Sequence, residues 1–143
     1  MRDHTKLAAF HKADELVLAV YRVSRRLPPD ERFGLISQMR RAVVSVASNI
    51  VEGCVQETEA SYLNFLNIAF GSLREVTYQL SLSFRLGFLT PAVYEPVRQQ
   101  ADECSRILAA LIRSLRKNSH VMVKQSINKQ PGTSKSAPNS LTA

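Results

Sequence analysis

The stretch "SQMRRAVVSVASNIVEG", residues 37–53, decides the fold of this chain. Its apolar residues recur every three or four positions, the period of a helix with one buried face. Together with the residue just before the stretch, they are Ile36, Met39, Val43, Val46 and Ile50. The pattern predicts a helix that begins between positions 34 and 37. It ends at Gly53, because glycine adopts the left-handed conformation at little cost.

A first helix is predicted before this stretch, from about Leu7 to Leu27. It stops at Pro28-Pro29, since proline cannot continue a helix and disfavours helical geometry in the residue before it.

Two more helices follow the stretch. The third begins after Thr58, a good N-cap, and runs to residue 86 with Gly87 as its stop. The fourth begins near Pro91, with Pro96 able to delay regular hydrogen bonding, and its periodicity ends at Lys117. Four helices with short connections predict an all-α, antiparallel up-down-up-down four-helix bundle in residues 1–118.

The remainder, residues 119–143, is rich in Ser, Asn, Gln, Lys and Pro and is predicted to be a basic, largely disordered tail, in which "HVMV" adds a short ordered end. The chain of 143 residues suits one domain, and no apolar run approaches the ~18 residues of a membrane span. The charged N-terminus lacks the apolar block of a signal peptide. We therefore expect a cytoplasmic protein with no membrane partner and with free thiols at Cys54 and Cys104.

Catalytic and metal chemistry finds no support in the motifs. There is no Glu-x-x-His pair of the kind that di-iron bundles use, no His-x-x-x-His and no Gly-rich phosphate loop. His11 and Glu15 lie one helical turn apart, but such a pair is typical of a solvated surface. We expect no enzyme activity, no cofactor, no metal site and no catalytic residue.

The polar face of the second helix is the first candidate site. Exposed helix positions normally carry Lys, Glu, Gln or Ala. Here the strip consists of Gln38, Arg41, Ser45, Ser48 and Glu52, with Asn49 beside it, whereas Arg40 borders the core. Either these are neutral surface residues, or the strip packs against another element. The third helix favours packing, because it is apolar on two sides and has Gly71 and Ser72 at its middle. We expect a homo-oligomer.

Basic residues form the second candidate site, for nucleic acid. They lie near the ends of the first and fourth helices: Arg22, Arg25, Arg26, Arg106, Arg113, Arg116 and Lys117. They either complement the helix dipoles or bind phosphates. No aromatic residues interleave with them, so base-specific readout is not indicated. The formal net charge of +7 is compatible with both readings.

The order of motifs resembles the bacterial four-helix-bundle family of proteins encoded in intervening sequences of 23S rRNA genes. It is more distantly similar to the accessory variability proteins of diversity-generating retroelements. The resemblance covers most of residues 6–118 and is most specific in "ERFGLISQMRRAVVSVASNIVEG" and "FLNIAFGSLREVTYQLSLSFRLGFL". Its motif positions include Gln38, Arg40, Arg41, Ser48, Asn49, Glu52, Gly71, Ser72, Glu75 and Gln79.

The resemblance implies a ring, typically a homopentamer, with no known enzyme activity. For the retroelement relatives it also implies a basic surface that contacts nucleic acid and a reverse transcriptase. This chain departs from the pattern after its Glu-Gly, where Cys54, Val55 and Gln56 replace an aromatic residue, Gly and Arg, and Ala47 stands at a common proline position. The leading hypothesis is a non-enzymatic oligomer that binds nucleic acid, RNA before DNA. The alternative is a protein-interaction or scaffold module.

Overall fold

A computed structural model describes residues 1–129, and every regular element in that range is helical. The four long helices are α1 (Ala8–Ser24), α2 (Leu35–Cys54), α3 (Glu59–Arg85) and α4 (Pro91–Asn128). Short 3-10 turns at His4–Lys6 and Pro29–Glu31 precede α1 and α2. Each helix packs against its neighbours in sequence, and α1 closes the bundle against α4. This arrangement confirms the predicted all-α four-helix bundle.

The core lies between the four helices and contains the periodic residues of each. In α2, Met39, Val43, Val46 and Ile50 are completely buried. In α3, which is apolar on two sides, the buried residues include Leu66, Leu73 and Leu80 on one side and Ala69 and Val76 on the other. Ile68, on the same side as Ala69, is 45% exposed. Each helix of a four-helix bundle packs against two neighbouring helices, which accounts for most of the apolar residues on both sides of α3.

Thr58 and Gly87 bound α3 as predicted, whereas Gly53 does not end α2. Thr58 caps α3, since its Oγ1 accepts the N–H of Ser61 at 3.1 Å. Gly87 ends α3 with φ of +81°, a backbone conformation that favours glycine. The prediction for Gly53 is wrong, because α2 continues to Cys54 and Gly53 has no positive φ.

Gly53 instead allows α2 and α3 to approach closely. A Cβ at this position would lie 3.1 Å from Tyr62 Cδ2 and 3.2 Å from Phe65 Cβ. The carbonyls at the end of α2 are capped from the N-terminus of the chain, where the Arg2 N–H donates to the Cys54 carbonyl at 2.9 Å. The Arg2 guanidinium lies 4.0 Å from the centre of the Tyr62 ring.

The largest difference from prediction concerns α4. The helix begins at Pro91 without delay at Pro96 and continues past Lys117 to Asn128. The first ten residues of the predicted tail, 119–128, are therefore helical, and residues 130–143 lie outside the described range. No proline or glycine interrupts the chain between Pro96 and Pro131, so nothing in it forces the helix to stop at 117. Among residues 1–129, no helix is long and apolar enough to cross a membrane.

Candidate nucleic-acid interface

The charge of α4 changes sharply along its length. The three acidic residues of the helix all lie in its first half, and each is paired with a cation. Arg98 pairs with Glu95 and, at 2.6 Å, with Asp102, while Lys12 of α1 pairs with Glu103 at 3.4 Å. The hydrogen bond from Arg98 lowers the pKa of Glu95. The first half of α4 is therefore close to neutral at its surface.

The second half of α4 is basic and lacks any acid. Residues 105–129 contain six Lys and Arg residues and no Asp or Glu. Because the helix is continuous to Asn128, the basic residues of the predicted bundle and those of the predicted tail lie on one rod. We call the following residues the α4 basic stripe: Arg106, Arg113, Lys117, His120 and Lys124.

The α4 basic stripe lies opposite the core. At about 100° per residue, its four Arg and Lys residues fall within about 40° of arc and span about 27 Å along the helix. The core residues Ala101, Leu108 and Ile112 occupy the other side. All five stripe residues are exposed, and no carboxylate of residues 1–129 lies within ion-pair distance of Arg106, Arg113 or Lys117. The stripe is thus a row of positive charge available to an anionic partner.

Arg116 lies beside the stripe rather than on it. Its guanidinium donates to Asn67 Oδ1 of α3 at 3.2 Å. With Arg113 and Phe70, these two residues line a shallow groove of about 300 Å³ between α3 and α4. The groove places the hydrogen-bonding side chain of Asn67 next to the stripe, close to Ile112, the last buried residue of α4.

The predicted cluster of Arg22, Arg25 and Arg26 is exposed at the opposite end of the bundle. Because α1 and α4 are antiparallel, the end of α1 lies near the start of α4 and away from the stripe. One protomer therefore does not bring the seven predicted basic residues into a single surface.

Aromatic residues do lie among the α1 arginines, contrary to the prediction. Tyr21 lines a groove of about 400 Å³ together with Arg22 and Arg25, and Arg40 lies 4.7 Å from the centre of its ring. Phe33 is 88% exposed in the loop that follows. Tyr21 directly precedes Arg22 in the sequence, and this adjacency could have predicted an aromatic ring beside the α1 arginines.

The polar strip of α2 is divided between a contact and a free surface. Ser45 and Asn49 are half-buried, with Ser45 Oγ 2.8 Å from Ser72 Oγ of α3 and Asn49 Nδ2 donating to the Ser45 carbonyl at 2.8 Å. The remaining strip residues are exposed, and they are Gln38, Arg41, Ser48 and Glu52. Part of the strip thus packs on α3 within the protomer, and a subunit contact through the rest stays a prediction.

The other motif residues have distinct surroundings. The Arg40 Nε donates to Ser24 Oγ at 2.8 Å, which fixes the side chain at the edge of the core. Gly71 is exposed, with open space where a Cβ would point. Glu75 is exposed, whereas Gln79 is buried and its Oε1 has no hydrogen-bond partner among residues 1–129.

The histidine, acidic and cysteine side chains of residues 1–129 are the candidates for metal ligands or reactive thiols. The His11 Nε2–H donates to the Thr5 carbonyl at 2.6 Å, and Glu15 pairs with Lys12 at 3.6 Å, so the two side chains serve separate contacts. No group of three or more His, Cys, Asp or Glu side chains in residues 1–129 is placed to hold a metal ion. Both cysteines are buried free thiols, and burial raises the pKa of Cys104 to about 11.

Comparison with known proteins gives one family and six similar chains among the solved structures. The family model of the 23S rRNA-intervening sequence protein matches residues 5–110. A similar fold is found in the crystal structure of a protein of unknown function from the S23 ribosomal protein family of Bacteroides thetaiotaomicron VPI-5482. That structure is 25% identical, has a TM-score of 0.68, and the match covers 73% of this chain and 98% of the other. Among curated proteins, no sequence matches.

Proposed function

The chain belongs to the family of 23S rRNA-intervening sequence proteins, and from this premise we propose that it is a non-enzymatic, self-associating protein of the cytoplasm that binds nucleic acid, with RNA as the favoured ligand. The observation that carries the proposal is the α4 basic stripe, a row of exposed cations on a helix half that has no acidic residue. The family and its structural neighbour have no assigned activity, and neither name refers to an enzyme.

Phosphate binding suits the stripe for an electrostatic reason. A nucleic acid carries a layer of condensed counterions, and cations that replace these ions release them and gain free energy. Arg106, Arg113, Lys117 and Lys124 are spread over about 27 Å of helix, long enough to follow several phosphates. A short anionic ligand would contact only part of such a row.

The mode of binding is expected to be backbone contact with little base preference. Residues 105–129 contain no Phe, Tyr or Trp, so the stripe offers no stacking platform for unpaired bases. RNA is favoured over DNA because the names of both the family and the structural neighbour refer to ribosomal components. Most of the stripe, from Arg113 onward, lies beyond the residues that the family model matches.

The test is a fluorescence titration of the purified chain with a single-stranded RNA and a duplex DNA at ~50 and ~200 mM salt. Four phosphate contacts predict a loss of affinity of about 50-fold between these salt concentrations for RNA. The variant Arg113→Gln/Lys117→Gln is expected to bind more weakly at the lower salt. Its matched control, Arg32→Gln/Arg85→Gln, changes two exposed arginines at the other end of the bundle and is expected to bind as the natural chain does.

The outcomes separate the parts of the proposal. Absence of binding at ~50 mM salt would refute nucleic-acid binding. Equal affinity for the two ligands would refute the preference for RNA. An equal loss of affinity in the two double variants would refute the assignment of the nucleic-acid site to α4.

The second candidate function, a protein-interaction or scaffold module, has its own supporting observation. Beyond Ser119, α4 exposes the apolar side chains of Met122, Val123 and Ile127, and Met122 continues the core face of the helix. Self-association is checked by light scattering at micromolar concentration, where a monomer mass would refute it. Binding to a protein with no response to RNA would favour this second function.

A further inference from the structure

The groove between the start of α2 and the end of α3 is the most unusual polar site in the described chain. It has a volume of about 430 Å³ and is lined by Glu31, Gln38, Glu75, Tyr78 and Gln79, together with apolar residues. Its polar groups are two carboxylates, two amides and the Tyr78 hydroxyl, and no Lys or Arg side chain lines it, so acceptors and negative charge dominate. It is therefore a site for hydrogen-bond donors.

Gln79 gives the groove its strongest requirement. The residue is only 6% exposed, and its Oε1 accepts no hydrogen bond within residues 1–129. A buried carbonyl without a donor is unfavourable, because it has lost its water and gained no partner. The side chain forms part of the groove wall, but its Oε1 has less than 1 Å² of exposed surface, so a donor in the groove bonds to it once the amide turns outward.

The other walls favour a planar cation. Glu31 uses Oε2 to accept the Leu35 N–H at 3.0 Å, which leaves its second oxygen, and Glu75 is exposed. Among residues 1–129, neither carboxylate is in an ion pair. The Tyr78 ring is 60% exposed and already has the guanidinium of Arg85 at 5.9 Å from its centre. A guanidinium meets all of these groups at once, because it carries five donors and a positive charge and stacks on aromatic rings.

A second copy of this chain supplies such a group on a complementary surface. The groove between α1 and α2 has Arg22 and Arg25 beside the exposed side chains of Leu18 and Tyr21. Within residues 1–129, no carboxylate lies within ion-pair distance of either arginine. The two grooves lie on different faces of the bundle, so a contact between them joins copies head to tail rather than by a two-fold axis.

We propose that Arg22 or Arg25 of one copy enters the α2–α3 groove of the next, where it donates to Gln79 Oε1 and to the carboxylate of Glu75. The inference rests on the self-association in the proposed function and names the surfaces that form it. It leaves the α4 basic stripe free for nucleic acid, because the stripe belongs to neither groove.

The test compares the assembly of charge-reversed variants by analytical ultracentrifugation over a range of concentrations. Glu75→Arg is expected to weaken self-association at least tenfold, as is Arg22→Glu/Arg25→Glu. The triple variant that carries all three changes is expected to recover most of the lost association. Glu57→Arg reverses an exposed glutamate outside both grooves and is expected to leave association unchanged.

Gln79→Leu provides a second measurement that does not depend on charge. It removes the unpartnered acceptor, so it is expected to weaken association while the protomer keeps its helical signal. An oligomer that is unaffected by Glu75→Arg, or equally affected by Glu57→Arg, would overturn this inference and leave self-association intact. A natural chain that is a monomer at every concentration would overturn both.

Discussion

Two glycines of the bundle are expected to respond in opposite ways to the same substitution. Gly71 lies inside α3 with open space around the position of a Cβ, so Gly71→Ala removes only the entropic penalty of glycine in a helix. This is expected to stabilise the fold by about 1 kcal/mol. Gly53 is one residue from the end of α2, so the same gain is smaller there, and its new Cβ would meet the buried Tyr62 and the half-buried Phe65.

The cost at Gly53 follows from those contacts. At 3.1 Å from the Tyr62 ring and 3.2 Å from Phe65 Cβ, the added methyl forces α2 and α3 apart or moves the ring. Extra methyl groups in packed sites cost about 1–3 kcal/mol, so Gly53→Ala is expected to be destabilising by about 1 kcal/mol net. The two variants should therefore differ by about 2 kcal/mol.

The assay is urea unfolding followed by helical circular dichroism at one protein concentration. Light scattering on the folded variants confirms equal mass, so that a change in assembly is not counted as a change in folding. If Gly53→Ala is stabilised as much as Gly71→Ala, the close approach of α2 and α3 at Gly53 is wrong.

Three further predictions concern single side chains. Arg40→Ala is expected to lower the unfolding free energy by about 1–2 kcal/mol, because it removes a charged hydrogen-bond donor from the buried Ser24. In the same urea assay, Arg41→Ala at an exposed position is expected to lower it by less than about 0.5 kcal/mol. Burial raises the pKa of Tyr62 to about 12, so the folded state retains a proton that the unfolded state loses from about pH 10 upward. Stability should then fall as the pH rises through this window, and Tyr62→Phe should flatten the fall in alkaline melting curves. Cys104 is completely buried and its pKa is about 11, so a thiol reagent should modify it slowly in the native protein and rapidly in urea. Equal rates of modification in the two conditions would contradict its burial.

The helices and most of the core were predictable because they depend on local patterns. The three- and four-residue spacing in α2, the cap at Thr58 and the stop at Gly87 each have a cause within a few residues. Gly53 was misassigned for the opposite reason. Its role depends on Tyr62 and Phe65, and the sequence pattern does not reveal which helix pairs approach closely.

The end of α4 was missed because two local signals conflict. The composition after residue 118 is typical of a disordered tail, yet the segment has no helix breaker before Pro131. The spacing of Arg106 to Arg113 and of Lys117 to Lys124, seven residues in each case, was the available sign of a continuous basic face. Gln79 was identified as a motif position, but no local pattern predicts that its Oε1 is buried without a donor among residues 1–129.

The salt dependence of RNA affinity tests the central claim most directly, because it counts the phosphates that the protein contacts. With four contacts from the α4 basic stripe, the slope of log affinity against log salt is expected to be about −3 for single-stranded RNA. In Arg113→Gln/Lys117→Gln two contacts remain, and the slope is expected to fall to about −1.4. A slope near zero in the natural chain, or the same slope in both proteins, would contradict the proposal that α4 binds the RNA backbone.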